Sequence, residues 1–215
     1  MRMKARTGGL LRLWAVAACL SLAACTGSLI PFAKEDTRLF NLSPKTTFSP
    51  NIPAVGWQLT VDTPVAQAAL NTTRIALQRQ PLTLEYYSYA NWTDTAPVMV
   101  QTLLVESFAN SGKIVSVGRQ SASLRADYNL LTELREFQAE YDGGNIPTVH
   151  VRLIAKLIKM PERTIIAASS FEAKEVASGA DLIAVIDAFD EALGKTLKRL
   201  VEWVLVTPGH TSQRP

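Results

Sequence analysis

The chain has 215 residues, with 22 basic and 19 acidic side chains and two histidines. Four of the basic residues, Arg2, Lys4, Arg6 and Arg12, fall at the very start; the rest of the chain balances at 18 basic against 19 acidic, which excludes a basic surface for nucleic acid. Both cysteines, Cys19 and Cys25, lie in the same N-terminal stretch, so the body of the chain must stand on its hydrophobic core without a disulfide.

Behind the basic start comes an apolar run from Leu13 to Ala24, and then Leu22-Ala23-Ala24-Cys25. A spanning helix needs ~20 apolar residues, more than this run supplies. A basic n-region, a short apolar h-region and small residues before a cut describe a secretory signal. With cysteine at the first mature position the signal is a lipobox. Residues 1–24 are expected to be removed and Cys25 to carry a diacylglycerol and an acyl chain of the palmitate type. Each buried methylene of such chains is worth ~0.8 kcal/mol, and three chains anchor stably. Thr26, where Asp would favour retention at the inner membrane, points to the outer membrane. Residues 25–36 read as a tether and 37–206 as one domain.

Within the domain, Pro44 to Pro53 is rich in Pro, Ser, Thr and Asn and reads as a loop. Trp57, Leu59 and Val61 alternate with polar residues as in a strand. Arg74–Arg79 and Leu82–Tyr89 are two further strands around a turn at Gln80-Pro81. Asp94 or Thr95 can cap a helix with Pro97 in its first turn, apolar positions Val100, Leu104 and Phe108, and Gly112 as its stop. Lys113–Val117 is a short strand. Three long segments follow, Asp127–Tyr141, Thr148–Lys159 and Thr164–Lys174, joined at Asp142-Gly143-Gly144-Asn145 and at Met160-Pro161-Glu162. In the middle one Val149, Val151, Leu153, Ala155 and Leu157 share a face, with His150, Arg152 and Lys156 opposite. This is an antiparallel meander with one face buried. Ser178-Gly179-Ala180-Asp181 resembles a capping box. Leu182, Ile186, Phe189, Leu193, Leu197, Leu200 and Val204 then make one helix stripe, and residues 207–215 read as a loose tail. The fold expected is α/β of the α+β kind: a mostly antiparallel sheet with a C-terminal three-stranded meander, packed against two main helices.

Reacting groups are scarce. His150 lies on a strand and His210 in the tail, and neither makes a convincing base. There is no nucleophile elbow, no phosphate-cradling glycine loop and no His/Cys/carboxylate spacing for a metal. Glu136 and Glu140 share a strand face with the proximity a carboxylate pair would need, yet charges on exposed strand faces are common. No enzyme activity, cofactor or metal site is expected, apart from the covalent lipid on Cys25. Tyr86, Tyr87 and Trp92, with Tyr89, crowd the end of one strand. Ordinary strand packing accounts for most such clusters; the functional alternative is a partner-binding aromatic patch built on Tyr86, Tyr87 and Trp92.

The order of several short motifs behind the lipobox resembles the ABC-type transport auxiliary lipoprotein family, which includes the lipoprotein of the paraquat-inducible (Pqi) system. They are Arg74-Ile75-Ala76-Leu77, Leu84-Glu85-Tyr86-Tyr87, Asn91-Trp92-Thr93-Asp94, Asp127-Tyr128, Leu130, Glu133-Leu134-Arg135-Glu136-Phe137 and Phe189-Asp190-Glu191-Ala192-Leu193. Where the family often has Tyr-x-Leu near the lipobox, this chain has Phe40-Asn41-Leu42, which keeps the apolar ring and loses the hydroxyl. The resemblance implies a non-catalytic lipoprotein subunit on the periplasmic side of the Gram-negative envelope. It would dock an MCE-type (mammalian cell entry) substrate-binding protein beside an ABC permease and ATPase in lipid transport, and could assemble as a homo-oligomer. Two other readings stay open at this point: an outer-membrane assembly or structural lipoprotein, and a periplasmic lipid-binding shuttle. Replacing Cys25 with Ser is expected to abolish palmitate labelling and move the chain from the membrane to the soluble fraction; labelling that persists would refute the lipobox assignment.

Overall fold

The computed structural model describes residues 36–120 and 125–211, so Cys25, the signal segment and most of the tether lie outside the described residues. The elements in chain order are β1 (Arg38–Phe40), β2 (Val55–Val61), β3 (Val65–Ala66), β4 (Arg74–Gln80), β5 (Thr83–Trp92), α1 (Ala96–Ser111), β6 (Ile114–Arg119), β7 (Tyr128–Glu140), β8 (Thr148–Lys159), β9 (Thr164–Val176) and α2 (Leu182–Thr211). Nine strands form one sheet with two helices beside it, the α+β fold expected. No helix among the described residues is long and apolar enough to cross a membrane.

β7 organises the sheet. One edge carries β8 in an antiparallel ladder from Tyr128↔Lys159 to Glu140↔Thr148, and β9 continues the meander beyond β8. The other edge takes three short strands in succession, all parallel to it. β2 pairs at Leu59–Val61, β3 at Val65 and Ala66, and β4 at Ala76–Gln78. β6 extends the sheet from β2, while β5 and then β1 extend it from β4. The sheet is thus mixed. Its long ladders are the antiparallel ones read from the hairpin turns, whereas the parallel ones are too short to leave a pattern in the sequence.

β7 also changes parity. Leu130, Thr132 and Leu134 face Leu157, Ala155 and Leu153 across the ladder; past a bulge at Arg135, Phe137 and Ala139 face Val151 and Val149. An unpaired extra residue shifts every later side chain to the opposite phase. The apolar set therefore moves from even to odd numbers while staying on one face. Glu133 and Glu136, which strict alternation would put on opposite faces, come to lie together.

That face receives α2. Val185, Phe189, Leu193, Leu197, Leu200, Val201 and Val204 are all buried. Trp92, Phe137 and Phe189 form a triangle of rings 5.1–5.6 Å apart, and Phe171 lies 5.5 Å from Trp203. Such pairs add ~0.5–1.5 kcal/mol each beyond the area they bury.

The helix ends differ in detail from the sequence reading. Thr95 is the N-cap of α1, but its side chain makes no cap bond; the Ala96 N–H instead donates to the Thr72 carbonyl at 3.1 Å. Gly112 ends the helix at φ 60°, a left-handed conformation that glycine adopts without steric cost. In α2 the cap is Asp181, not Ser178: its Oδ1 accepts from the Ile183 and Ala184 N–H groups at 3.1 Å. The helix also runs on to Thr211 through Pro208, past the point where a loose tail was expected. The Thr207 hydroxyl bonds back to the Trp203 carbonyl at 2.7 Å in this last stretch. The loop between β1 and β2 is strapped over both helices. The Ser43 N–H donates to Asp190, that of Ser49 to Glu202 and that of Lys45 to the Ser107 hydroxyl.

The bulge yields a sharp expectation. Replacing Arg135 with Ala should change stability by less than about 0.5 kcal/mol, since its pairing with Glu133 is exposed. Deleting Arg135 should keep urea unfolding cooperative, because it removes the unpaired residue and leaves Glu136 following Leu134 in regular alternation, with Glu136, Gln138 and Glu140 still facing outward. A deletion variant that loses cooperative unfolding would refute the assigned register.

Candidate functional site

The structure separates the predicted aromatic group. Trp92 is 1% exposed and belongs to the core triangle, so it offers no surface to a partner. Tyr86 and Tyr87 are neighbours on β5 and point to opposite faces of the strand. The Tyr86 hydroxyl donates to the Ala69 carbonyl at 3.0 Å, and the Arg74 guanidinium lies 3.8 Å from its ring centre. Tyr87 meets Tyr141 hydroxyl to hydroxyl at 2.7 Å. Burial first, and then the bond to Tyr141, push the Tyr87 phenol well above its ordinary range, so it stays neutral. Only Tyr89, in a left-handed conformation at φ 54°, stands mainly in solvent. Crowding in sequence became dispersal in space because successive strand residues alternate.

Chemistry concentrates elsewhere, on the face of β7–β8–β9 that α2 does not cover. The bulge places Glu136, Gln138 and Glu140 there, opposite Arg152, His150 and Thr148 of β8. β9 adds Glu172 and Lys174 opposite Arg152 and His150. His150, only 8% exposed, is bonded at both ring nitrogens: Nδ1 lies 2.7 Å from Glu140 Oε1 and Nε2 2.7 Å from Glu172 Oε1. Gln138 is also buried. Its Oε1 accepts from the Phe137 N–H at 2.7 Å, which turns its amide nitrogen toward Glu136 Oε2 at 2.7 Å and Glu140 Oε1 at 3.0 Å. Lys174 Nζ reaches Glu140 Oε2 at 3.4 Å. Further along the same face Lys156 pairs with Glu133 at 3.3 Å.

Burial acts to raise the Glu140 carboxyl, but the His150 and Gln138 hydrogen bonds and the charges nearby outweigh it and hold the group below the usual carboxylate range. This cluster escaped the sequence reading. Glu136, Glu140 and His150 were each recognised as polar-face residues, yet Glu172 and Gln138 were not singled out, and the register that joins three strands is a tertiary fact. The signal available was the short connection after Glu140, which makes Glu140 and His150 near neighbours across a hairpin.

A nine-stranded mixed sheet is thus wrapped on one face by a long C-terminal helix, with a polar network on the other face of its meander, an α+β domain. Residues 40–201 match the model of the ABC-type transport auxiliary lipoprotein component, and the chain belongs to that family, one of auxiliary lipoproteins of transport systems and not of enzymes. The crystal structure of protein XCC0632 from Xanthomonas campestris is similar at 32% identity, with 82% of this chain and 99% of that one covered and a TM-score of 0.77. A second crystal structure, at 12% identity and a TM-score of 0.63, covers 79% of this chain and 99% of that one and shares the fold. Protein bll6063 of Bradyrhizobium diazoefficiens is 26% identical over 167 residues, 78% of this chain, which spans 44% of that relative's length.

Because Glu140 is harder to protonate in the folded chain than in the unfolded one, its stabilisation is complete above the unfolded chain's carboxyl range and is lost as pH falls through the folded value. Glu140→Gln should therefore lower stability by about 1–3 kcal/mol at neutral pH, with the gap to wild type closing in acid. Urea unfolding measured from neutral pH down to acid checks this; a gap that stays constant would show that the Glu140 charge is not what stabilises.

Proposed function

We propose that this chain is the membrane-tethered docking subunit of its transport system: lipid on Cys25 holds it to the envelope, with Thr26 favouring the outer membrane, and the folded domain binds an MCE-type substrate-binding protein close to the permease and ATPase. The tether raises the local concentration of the domain near its membrane partners, so modest intrinsic affinity is enough. Family membership supports the transport assignment; the mode of docking is argued from the sheet.

The observation that carries it is the free edge of β9. This strand is 13 residues long, and among the described residues it pairs only with β8. It contains no proline, and Ile165 at one end and Val176 at the other are 54% and 71% exposed. Isolated proteins blunt long edges; here Arg199 donates to the Glu172 carbonyl, and the stretch of β9 before it can accept an added strand whose backbone bonds give affinity. An extended segment of the partner laid antiparallel or parallel along β9 would continue the meander.

Ile165→Lys combined with Val176→Lys should reduce capture of the system's MCE-type protein about tenfold or more, equivalent to at least ~1.4 kcal/mol, while circular dichroism and melting temperature stay close to wild type. Capture unchanged by both charges would overturn edge docking, and absence of capture by the wild-type chain would overturn the partner assignment.

A further inference from the structure

We infer that the uncovered face of the meander holds a zinc-type divalent cation, bound by Glu136, Glu140 and His150. One ligand atom from each of these residues lies within 4.8 Å of the other two. Ligand atoms around a tetrahedral zinc at ~2.0–2.1 Å stand ~3.4 Å apart, so small side-chain rotations close the site. An imidazole with two carboxylates selects a first-row ion of borderline softness over magnesium or calcium, which prefer all-oxygen shells.

Three features separate this group from an ordinary surface ion-pair network. Glu172 accepts from Nε2 of His150 at 2.7 Å, which orients the ring and aims Nδ1 at Glu140. A carboxylate on the far nitrogen of a metal-binding histidine is the recurrent outer shell of such sites. Gln138 supplies a second outer-shell contact: its amide spans both glutamates and is itself locked by the Phe137 N–H, so the two carboxylates are held side by side despite their mutual repulsion. The charges are also incomplete. Lys174 serves Glu140, Arg152 directs its Nε to the Ser170 hydroxyl, and among the described residues Glu136 has the Gln138 amide as its partner and no ion pair. A dication supplies that missing charge. All ligands sit on β7 and β8, central strands of the sheet, where positions are set by the ladder and not by a loop. The ion would displace the shared hydrogen between His150 Nδ1 and Glu140 Oε1, leaving its fourth position on the side not covered by α2.

The test uses the full chain, purified in detergent without an affinity tag and stripped with a chelator, titrated calorimetrically with zinc chloride. One zinc per chain is expected, with magnesium chloride giving no comparable heat. Glu136→Gln is the decisive variant, because Glu136 takes part in no ion pair among the described residues and its loss should leave folding intact; it should weaken zinc binding at least about tenfold. His150→Asn should abolish binding, with circular dichroism reporting whether the sheet persists. Cobalt substituted for zinc should give the visible absorption of a tetrahedral site in the wild type and not in Glu136→Gln. No saturable zinc binding, or binding unchanged by Glu136→Gln, overturns the site.

Discussion

Every other element takes its place from β7, and β7 works because of one extra residue. The strand is flanked on both edges and covered by α2 on one face, so its inward set must be apolar over its whole length. Its sequence nonetheless shifts phase, with Leu130, Thr132 and Leu134 at even positions and Phe137 and Ala139 at odd ones. Arg135 absorbs the difference as a bulge. One residue thereby keeps Phe137 in the ring triangle with Trp92 and Phe189, and turns Glu136, Gln138 and Glu140 outward as a group. Core and candidate site are two consequences of the same backbone irregularity.

The domain has no disulfide to draw on, since neither cysteine lies in its body. What holds it is continuous burial between sheet and helices. The parallel strands on the second edge of β7 pair with it over only two or three residues each, too few to persist alone. They are fastened by side chains from elsewhere: Gln101 of α1 donates to the Val61 carbonyl and accepts from the Thr63 hydroxyl, just where β2 leaves the edge. Asn129 joins Thr60 to Asp62 on the same stretch. Short ladders are thus pinned by polar bonds at their ends, while the long meander rests on its apolar face.

Legibility in the sequence followed range. The meander, its two turns, the Gly112 stop and the stripe on α2 were readable because alternation, glycine and helical spacing are local signals. Parallel pairing on β7 was not, since strands of two or three paired residues leave no period and their partners lie far along the chain. The aromatic group misled for a physical reason: adjacency on a strand sends Tyr86 and Tyr87 to opposite faces and buries Trp92. The His150 cluster could not be assembled because it depends on register across three strands and on a bulge that overrides simple parity. Family resemblance reached further than any of these, because it draws on the order of motifs along the whole domain, and the match over residues 40–201 agrees with it.

Burying an imidazole and an amide on the outer face of a sheet is an expensive choice for a protein that needs only to be folded. Polar groups removed from water must be matched bond for bond, and a partly matched network is worse than apolar packing. Here the matching is nearly complete: both nitrogens of His150, the oxygen of Gln138 and its amide nitrogen all have partners. Ala or Val at these positions would serve β-pairing at lower cost. A surface that only repels aggregation would scatter lysines, as Lys156 and Lys159 do further along β8. Two carboxylates on one histidine, with Glu136 held beside them by the Gln138 amide, concentrate negative charge instead on the rigid strands of the meander. The network therefore puts the proposed cation site on rigid strands beside the proposed docking edge, where its charge would help select what the backbone of β9 would otherwise accept without discrimination.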